Sequence, residues 1–342
     1  MGNANYIGRV GALAVALGIG VALAATPWVV SAKPPSSDSS SSSGGPSPSC
    51  DCSGGSGPNL SVSTNGVVRV QKGTAIATSV GTGSVAIVLG SGDTVSAIGP
   101  HNKATVHGTN STAIATGGSH NTATVTGDNS TAVAGGGSHN TATVTGDNST
   151  AYAGTGLETL GKDANNNDNR ATAIGDNAFA AAGAVGHDNT GNTAVAIGDS
   201  FAYAGYDGHN NTDNTATAFN SGADSYGIAG AGSFGDNNSG NTASATNFGD
   251  GAGDIPSGAE ALAGAYGSNN TDNTATATNS GDLASSFASA GSDGNSNANN
   301  TAKATNSRAD VVTEADAGSN GSHLSDYRAT AANGGTDTQP QP

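Results

Sequence analysis

Large apolar side chains are scarce in this chain. Val, Leu, Ile and Phe supply only 47 of its 342 residues, with one Trp and one Met, too few for the thick cores that a chain of this length ordinarily buries. Basic residues are scarcer still: 10 Lys and Arg stand against 26 Asp and Glu, a formal net charge of −16. No Lys/Arg cluster occurs, so the counterion release that drives nucleic-acid binding has no source, and that function class is excluded. Glutamate is confined to Glu158, Glu260 and Glu314, and neither a Gly-x-Ser-x-Gly elbow nor a His-Glu-x-x-His pair is present. No catalytic or cofactor-binding residue is therefore nominated, and the chain reads as a non-enzyme. Two nucleotide-type spacings are coincidences of a chain with 54 Gly. "GLETLGK" (156–162) has Asp163 where a phosphate loop needs Ser or Thr for Mg²⁺, and "GAGSFG" (230–235) lacks a βαβ setting.

The two cysteines, Cys50 and Cys52, lie close together in "PSCDCSGG" and cannot staple a fold. They read as an exposed linker pair, as an intermolecular disulfide, or as half of a zinc site. Around them residues 33–58 are almost wholly Ser, Pro and Gly, a flexible tether. Residues 1–32 precede it: Arg9, an apolar run from Val10 to Val30, and the small residues Ser31 and Ala32 suited to signal peptidase. This is the pattern of a secretory signal helix, or, at that length, of an uncleaved N-terminal anchor. The string from Tyr6 to Ala24 resembles the leaders of exported mycobacterial proteins, many of which are rich in Gly and Ala.

What the chain has in abundance is register. "GSHNTATVTGDNSTAVAGG" (118–136) and "GSHNTATVTGDNSTAYAGT" (137–155) agree at 17 of 19 positions, and residues 99–117 keep the same frame. Random low-complexity sequence has no reason to keep such a frame, and an unfolded surface coat is the weaker reading for that reason. Each unit holds two short alternating runs, such as Thr122–Val125 and Thr131–Ala134, separated by Gly-Asp-Asn or Gly-Ser-His-Asn turns. A fixed period near 20 residues predicts an all-β, parallel β-solenoid with two strands per coil. Residues 59–156 form a first array and 157–168 a connector. Residues 169–333 form a second array with anchors stepping by 23, 22, 27, 32 and 27, and 334–342 a disordered tail. The anchors are Asn102, Asn121 and Asn140 in the first array, and Asn169, Asn192, Asn214, Asn241, Asn273 and Asn300 in the second. Stacked at the β spacing of about 4.8 Å, they predict amide ladders that compensate for a thin interior. The alternation leaves open which face points inward: Val195 and Ile197 on one phase, Ala194 and Ala196 on the other.

At "ATAIGDNAFAAAG" (171–183) and "AVAIGDSFAYAG" (194–205) the sequence resembles the head repeats of trimeric autotransporter adhesins. That resemblance implies a left-handed β-roll and a role in adhesion. A weaker likeness to curli subunits, through residues 127–144, lacks their Gln ladders, since Gln occurs only at 71, 339 and 341.

Several residues carry candidate chemistry. His101, His120 and His139 recur every 19 residues and predict a stacked column, either a Zn or Cu site or a set of solvated turn histidines. Asp163, Asn165 and Asn167 have the opening spacing of a calcium loop without its Gly and closing Glu, so calcium competes there with plain Asx-turns. No other cofactor is implied. Thr-x-Thr rows at 122–126, 141–145 and 274–278 resemble the faces of solenoid antifreeze proteins, and nominate ice or carbohydrate as ligands. On one phase Ile114, Val133 and Tyr152 form an exposed column suited to docking or self-assembly. The sequence thus predicts an exported structural or adhesin-like protein, secreted or at the cell surface. Its partners are a host or cell-envelope surface, or further copies stacked end to end into an amyloid-like matrix. Membrane contact would come only through the N-terminal segment, if that is retained.

Overall fold

The computed structural model describes residues 59–155, 165–252, 257–318 and 321–339. The leader, the linker with Cys50 and Cys52, and Asp163 lie outside the described residues. Everything described belongs to one compact unit, a β-solenoid without helices among the described residues. Two sheets face each other. Among the described residues sheet A has 13 strands and sheet B 12: numbered in chain order, sheet A holds β1 (Leu60–Thr64) and the even-numbered strands up to β24 (Arg328–Ala332), and sheet B the odd-numbered strands from β3 (Ile76–Val80) to β25 (Thr336–Gln339), each stacked in chain order except that β2 (Val67–Lys72) lies outside β1. From β2 onward successive strands therefore alternate between sheets, and each coil contributes one strand to each.

Sequence alternation becomes burial alternation. β8 (Thr122–Thr126) and β14 (Thr193–Ile197) bury every second residue. The inward phase is the alanine one: Ala194 and Ala196 are fully buried, whereas Val195 and Ile197 face outward. Tight turns bring the two sheets so close that the gap admits methyl groups and, in the first array, a few valines: Val88, Val95, Val106, Val125 and Val144. A core of this kind gains little from hydrophobic area. Its cohesion comes from register-true parallel pairing, as where Thr141, Ala142 and Val144 of β10 (Thr141–Thr145) meet Thr122, Ala123 and Val125 of β8.

The anchor asparagines form the predicted ladder at the coil corner where sheet A begins. The side-chain oxygen of Asn214 accepts both the backbone N–H (3.1 Å) and the Nδ2–H (3.0 Å) of Asn241, and Asn241 does the same for Asn273. These amides are fully buried, where an unpaired donor or acceptor costs most.

Four features depart from the sequence expectation. First, the chain does not begin as a parallel coil. β1 (Leu60–Thr64) is antiparallel to both β2 (Val67–Lys72) and β4 (Val85–Ser91). Asn65 and Gly66 both have positive φ, 52° and 82°, the two-residue hairpin turn whose twist suits paired strands. Second, the arrays are continuous, because β10 pairs directly with β12 (Arg170–Ile174) across the connector. Asn166 and Asn167, assigned to that connector, already sit in the coil. Third, the supposed tail holds a strand: β25 (Thr336–Gln339) pairs with β23 (Val312–Ala317) through Glu314 to Ala317. The Gly334–Gly335 turn lets the chain return to the sheet edge, where four more residues find backbone partners. Fourth, the second-array coil has a narrow third side, a ladder of single bridges from Asn167 through Thr190, Thr212, Ser239, Thr271 and Ala298 to Ser325. Its path from sheet B back to the anchor Asn has constant length, so the uneven steps arise in the turn from sheet A to sheet B. That turn is longest between Asn247 and Ser257.

Candidate functional site

The outer face of sheet A is the most regular surface of the molecule. Parallel register stacks its outward residues into three columns along the rod. One runs Lys103, Thr122, Thr141, Arg170, Thr193 and onward, the next Thr105, Thr124, Thr143, Thr172, Val195 and onward. β8, β10 and β20 (Thr274–Asn279) present complete Thr-x-Thr-x-Thr rows. Outward β-branched residues fit a pleated surface, and here they also set hydroxyls in rows one strand spacing apart. The third column turns apolar at its centre, where Ile174, Ile197 and Phe219 are consecutive, and Phe219 lies 5.3 Å from Phe248, itself 53% exposed.

Sheet B differs. Its outward column Ile114, Val133, Tyr152 is present as predicted by one phase, but it is not an open stripe: Val133 is buried, and Tyr152 packs 5.9 Å from Phe179. In the second array the returning turns fold back over this face. Phe234 and Tyr266, both with a φ of 58°, stack at 5.1 Å, and Tyr206 and Phe234 flank Tyr203 at 5.3 and 6.1 Å. Ser233 Oγ donates to the Tyr203 carbonyl at 2.9 Å, and Ser292 Oγ to that of Leu262. Burial raises the Tyr203 hydroxyl above its usual range, and it has no hydrogen-bond partner among the described residues. Beside this aromatic layer, β19 (Ser257–Ala263) buries Glu260, whose carboxyl is pushed up to about 7 by desolvation. That acid in turn helps burial push Tyr226 up to about 12.

The predicted histidine column exists. His101 and His120 stack at 4.8 Å, His120 and His139 at 5.0 Å, and all three have positive φ. Near-parallel rings this far apart do not aim two nitrogens at one ion held by bonds of about 2.0–2.1 Å. Among the described residues no three His, Cys, Asp or Glu side chains gather as a metal site. A second stack, His187 on His209 at 3.9 Å, was not anticipated; His187 Nδ1 is bonded to Asp188 at 2.9 Å. The side chains of Asn165 and Asn167 are engaged in holding turns. Asn165 Nδ2 donates to Asp188, while Asn167 Oδ1 accepts the Ser138 N–H and its Nδ2 donates to the Asn165 carbonyl.

Two further ladders escaped the sequence reading. Asn166, Asn189, Asn211, Asn238, Asn270 and Asn297 stack three residues before the anchors, each side-chain oxygen taking the next coil's backbone N–H. Asn220, Asn247, Asn279 and Asn306 form the third at the far end of sheet A. Their signals were the Asn-x-x-Asn spacing and the closing Asn of "NTATATN". Of two shallow depressions, one is lined by Ile98, Pro100, Thr116 and Ser138 without an ionisable group, and the other has only His107. Comparison of the chain with protein-family models, with curated proteins and with solved structures gives no match.

Proposed function

We propose that the chain is a non-enzymatic, exported repeat protein that serves as a structural or adhesive element at the cell surface or outside the cell. One observation carries this reading: coil after coil, Ala and Asn close the interior while sheet A repeats the same Thr-rich outer face in register. A rod with a repeating face suits many weak contacts with an extended partner. The apolar run at Val10–Val30 and the Ser/Pro/Gly tether support export and display. The likeness of residues 171–183 and 194–205 to adhesin head repeats supports adhesion.

The test is to treat intact source cells with a protease and probe for the chain, then measure attachment of beads coated with it. Removal by the protease and attachment above that of albumin-coated beads are expected. Retention inside protected cells, or attachment no better than albumin, would sink the reading.

A second reading, self-assembly end to end, is favoured by β2. All six of its residues are exposed, and by reversing twice the hairpin makes it run in the direction of β4 to β24. Against it, Asp337 already takes the Thr330 N–H at the opposite edge, and Arg69 and Lys72 sit on β2, devices that blunt open edges. Concentration-dependent filaments in sedimentation would establish it; a monomer at all concentrations would exclude it.

A further inference from the structure

Charge is sorted between the two sheets. Arg69, Lys72, Lys103, Arg170, Lys303 and Arg328 all lie in strands of sheet A and are all exposed, and those strands contain no Asp or Glu. Sheet B is the reverse: its strands hold Glu260, Glu314, Asp316 and Asp337 and no Lys or Arg. In a chain of net charge −16, the charged side chains on the strands of sheet A are thus all basic, while the exposed Asp168, Asp213, Asp272 and Asp326 stand in the turns two residues ahead of β12, β16 (Thr215–Asn220), β20 and β24. Poor strand propensity of acidic residues does not explain this, since sheet B accepts four of them. Edge protection accounts for Arg69, Lys72 and Arg328 on the terminal strands β2 and β24 (Arg328–Ala332). It does not account for Lys103, Arg170 and Lys303 on the interior strands β6 (Lys103–Thr109), β12 and β22 (Thr301–Asn306).

These cations are aligned. Lys103, Arg170 and Arg328 occupy one register column and Lys303 the next, with Thr between them. At the opposite end of β12 from Arg170 begins the apolar stripe of Ile174, Ile197, Phe219 and Phe248.

We propose that the outer face of sheet A binds an acidic polysaccharide laid along the stack. The inference rests on the reading of the chain as a surface element and names its partner class. Three coils separate Lys103 from Arg170 and six separate Arg170 from Arg328, about 14 and 29 Å at the spacing between strands. That density suits a polymer with carboxylates spread among neutral sugar atoms. It does not suit duplex DNA, with one charge per about 1.7 Å, nor a membrane recognised through clustered Lys and Arg. Threonine hydroxyls both donate and accept, as sugar hydroxyls do, and the Ile/Phe stripe offers a dry surface for the C–H faces of sugar rings.

The test passes the full chain over immobilised polygalacturonate, with uncharged dextran, phosphatidylglycerol vesicles and duplex DNA as comparators. Retention on polygalacturonate that weakens with added salt is expected. The combined substitution Lys103→Thr, Arg170→Thr, Lys303→Thr and Arg328→Thr gives the columns the residue they already favour, and lowers the affinity about tenfold or more. Amide exchange confirms that this variant is folded; if it is not, the single Arg170→Thr variant is expected to lose a smaller part of the binding. Glu314→Gln on sheet B leaves retention unchanged. Equal binding by a folded variant, retention no better than on dextran, or stronger binding to vesicles or DNA overturns the proposal. If coated beads attach to cells while polygalacturonate binding is absent, the adhesive reading stands and this one falls.

Discussion

Gly232 lies directly against the side-chain amide of Asn214: a Cβ on this glycine would sit 2.6 Å from both Cγ and Oδ1. The same contact joins Gly205 to Asn192 and Gly264 to Asn241, so in the second array the glycine after the sheet B strand forms a wall of the ladder. Gly232 also has a φ of 58°, which an L side chain resists. Gly232→Ala should therefore strain the backbone and displace the amide together, at about 3 kcal/mol or more. Urea unfolding monitored by circular dichroism measures it, and an unchanged midpoint would show that the ladder tolerates displacement.

Removing a rung should cost more than removing its neighbour on the surface. Asn241→Ala leaves the buried Asn273 N–H without its acceptor and takes a donor from the Asn214 oxygen and the Asn270 carbonyl. The expected loss is about 2–4 kcal/mol, since buried unpaired groups cost about 1–3 kcal/mol each. Thr242→Ala, one residue on and exposed, should stay within about 0.5 kcal/mol. The two variants, compared in one denaturant series, separate ladder energetics from strand propensity.

Glu260 makes stability depend on pH. Its carboxyl, ordinarily near 4.5, is pushed up to about 7 by burial, so the fold favours the neutral acid. The contribution is fully present below the ordinary value and is lost as pH rises through about 7. On the scale of 1.36 kcal/mol per pKa unit, the loss at alkaline pH is of order 3 kcal/mol. Thermal unfolding should fall between pH 5 and pH 8.5, and Glu260→Gln should flatten that profile. A wild-type profile already flat would contradict burial of the acid.

Core width is the fourth expectation. Val125→Ala should destabilise by about 2 kcal/mol through lost contacts and a residual cavity. Ala218→Val, in the all-alanine region, should cost about 1–3 kcal/mol by forcing the sheets apart. Should both be neutral in calorimetry, the gap between sheets is less tightly filled than the burial of these residues indicates.

The sequence disclosed the coil because its period, its alternation and its turn residues agree, and the anchor from Asn102 to Asn300 was legible for the same reason. The inward phase was not legible, because Val195 and Ala194 satisfy alternation equally well and only the width of the gap decides between them. The antiparallel start carries its signal in Asn65-Gly66 alone, a hairpin pair that stands ahead of the clear repeats and leaves their period unchanged. Glu260 and the aromatic layer stayed hidden because they depend on turns folding across sheet B, a contact between residues that no local pattern couples. Likewise, the sorting of Lys103 and Arg170 from Glu260 and Glu314 appears only once strands are assigned to sheets.

Coils 118–136 and 137–155, alike at 17 of 19 positions, present the same donors above and the same acceptors below. Any such unit can follow any other, so a recombination event that duplicates or deletes one copy leaves both junctions chemically intact. The rod would gain or lose a step of about 4.8 Å, and descendants could vary in reach without having to evolve a new fold.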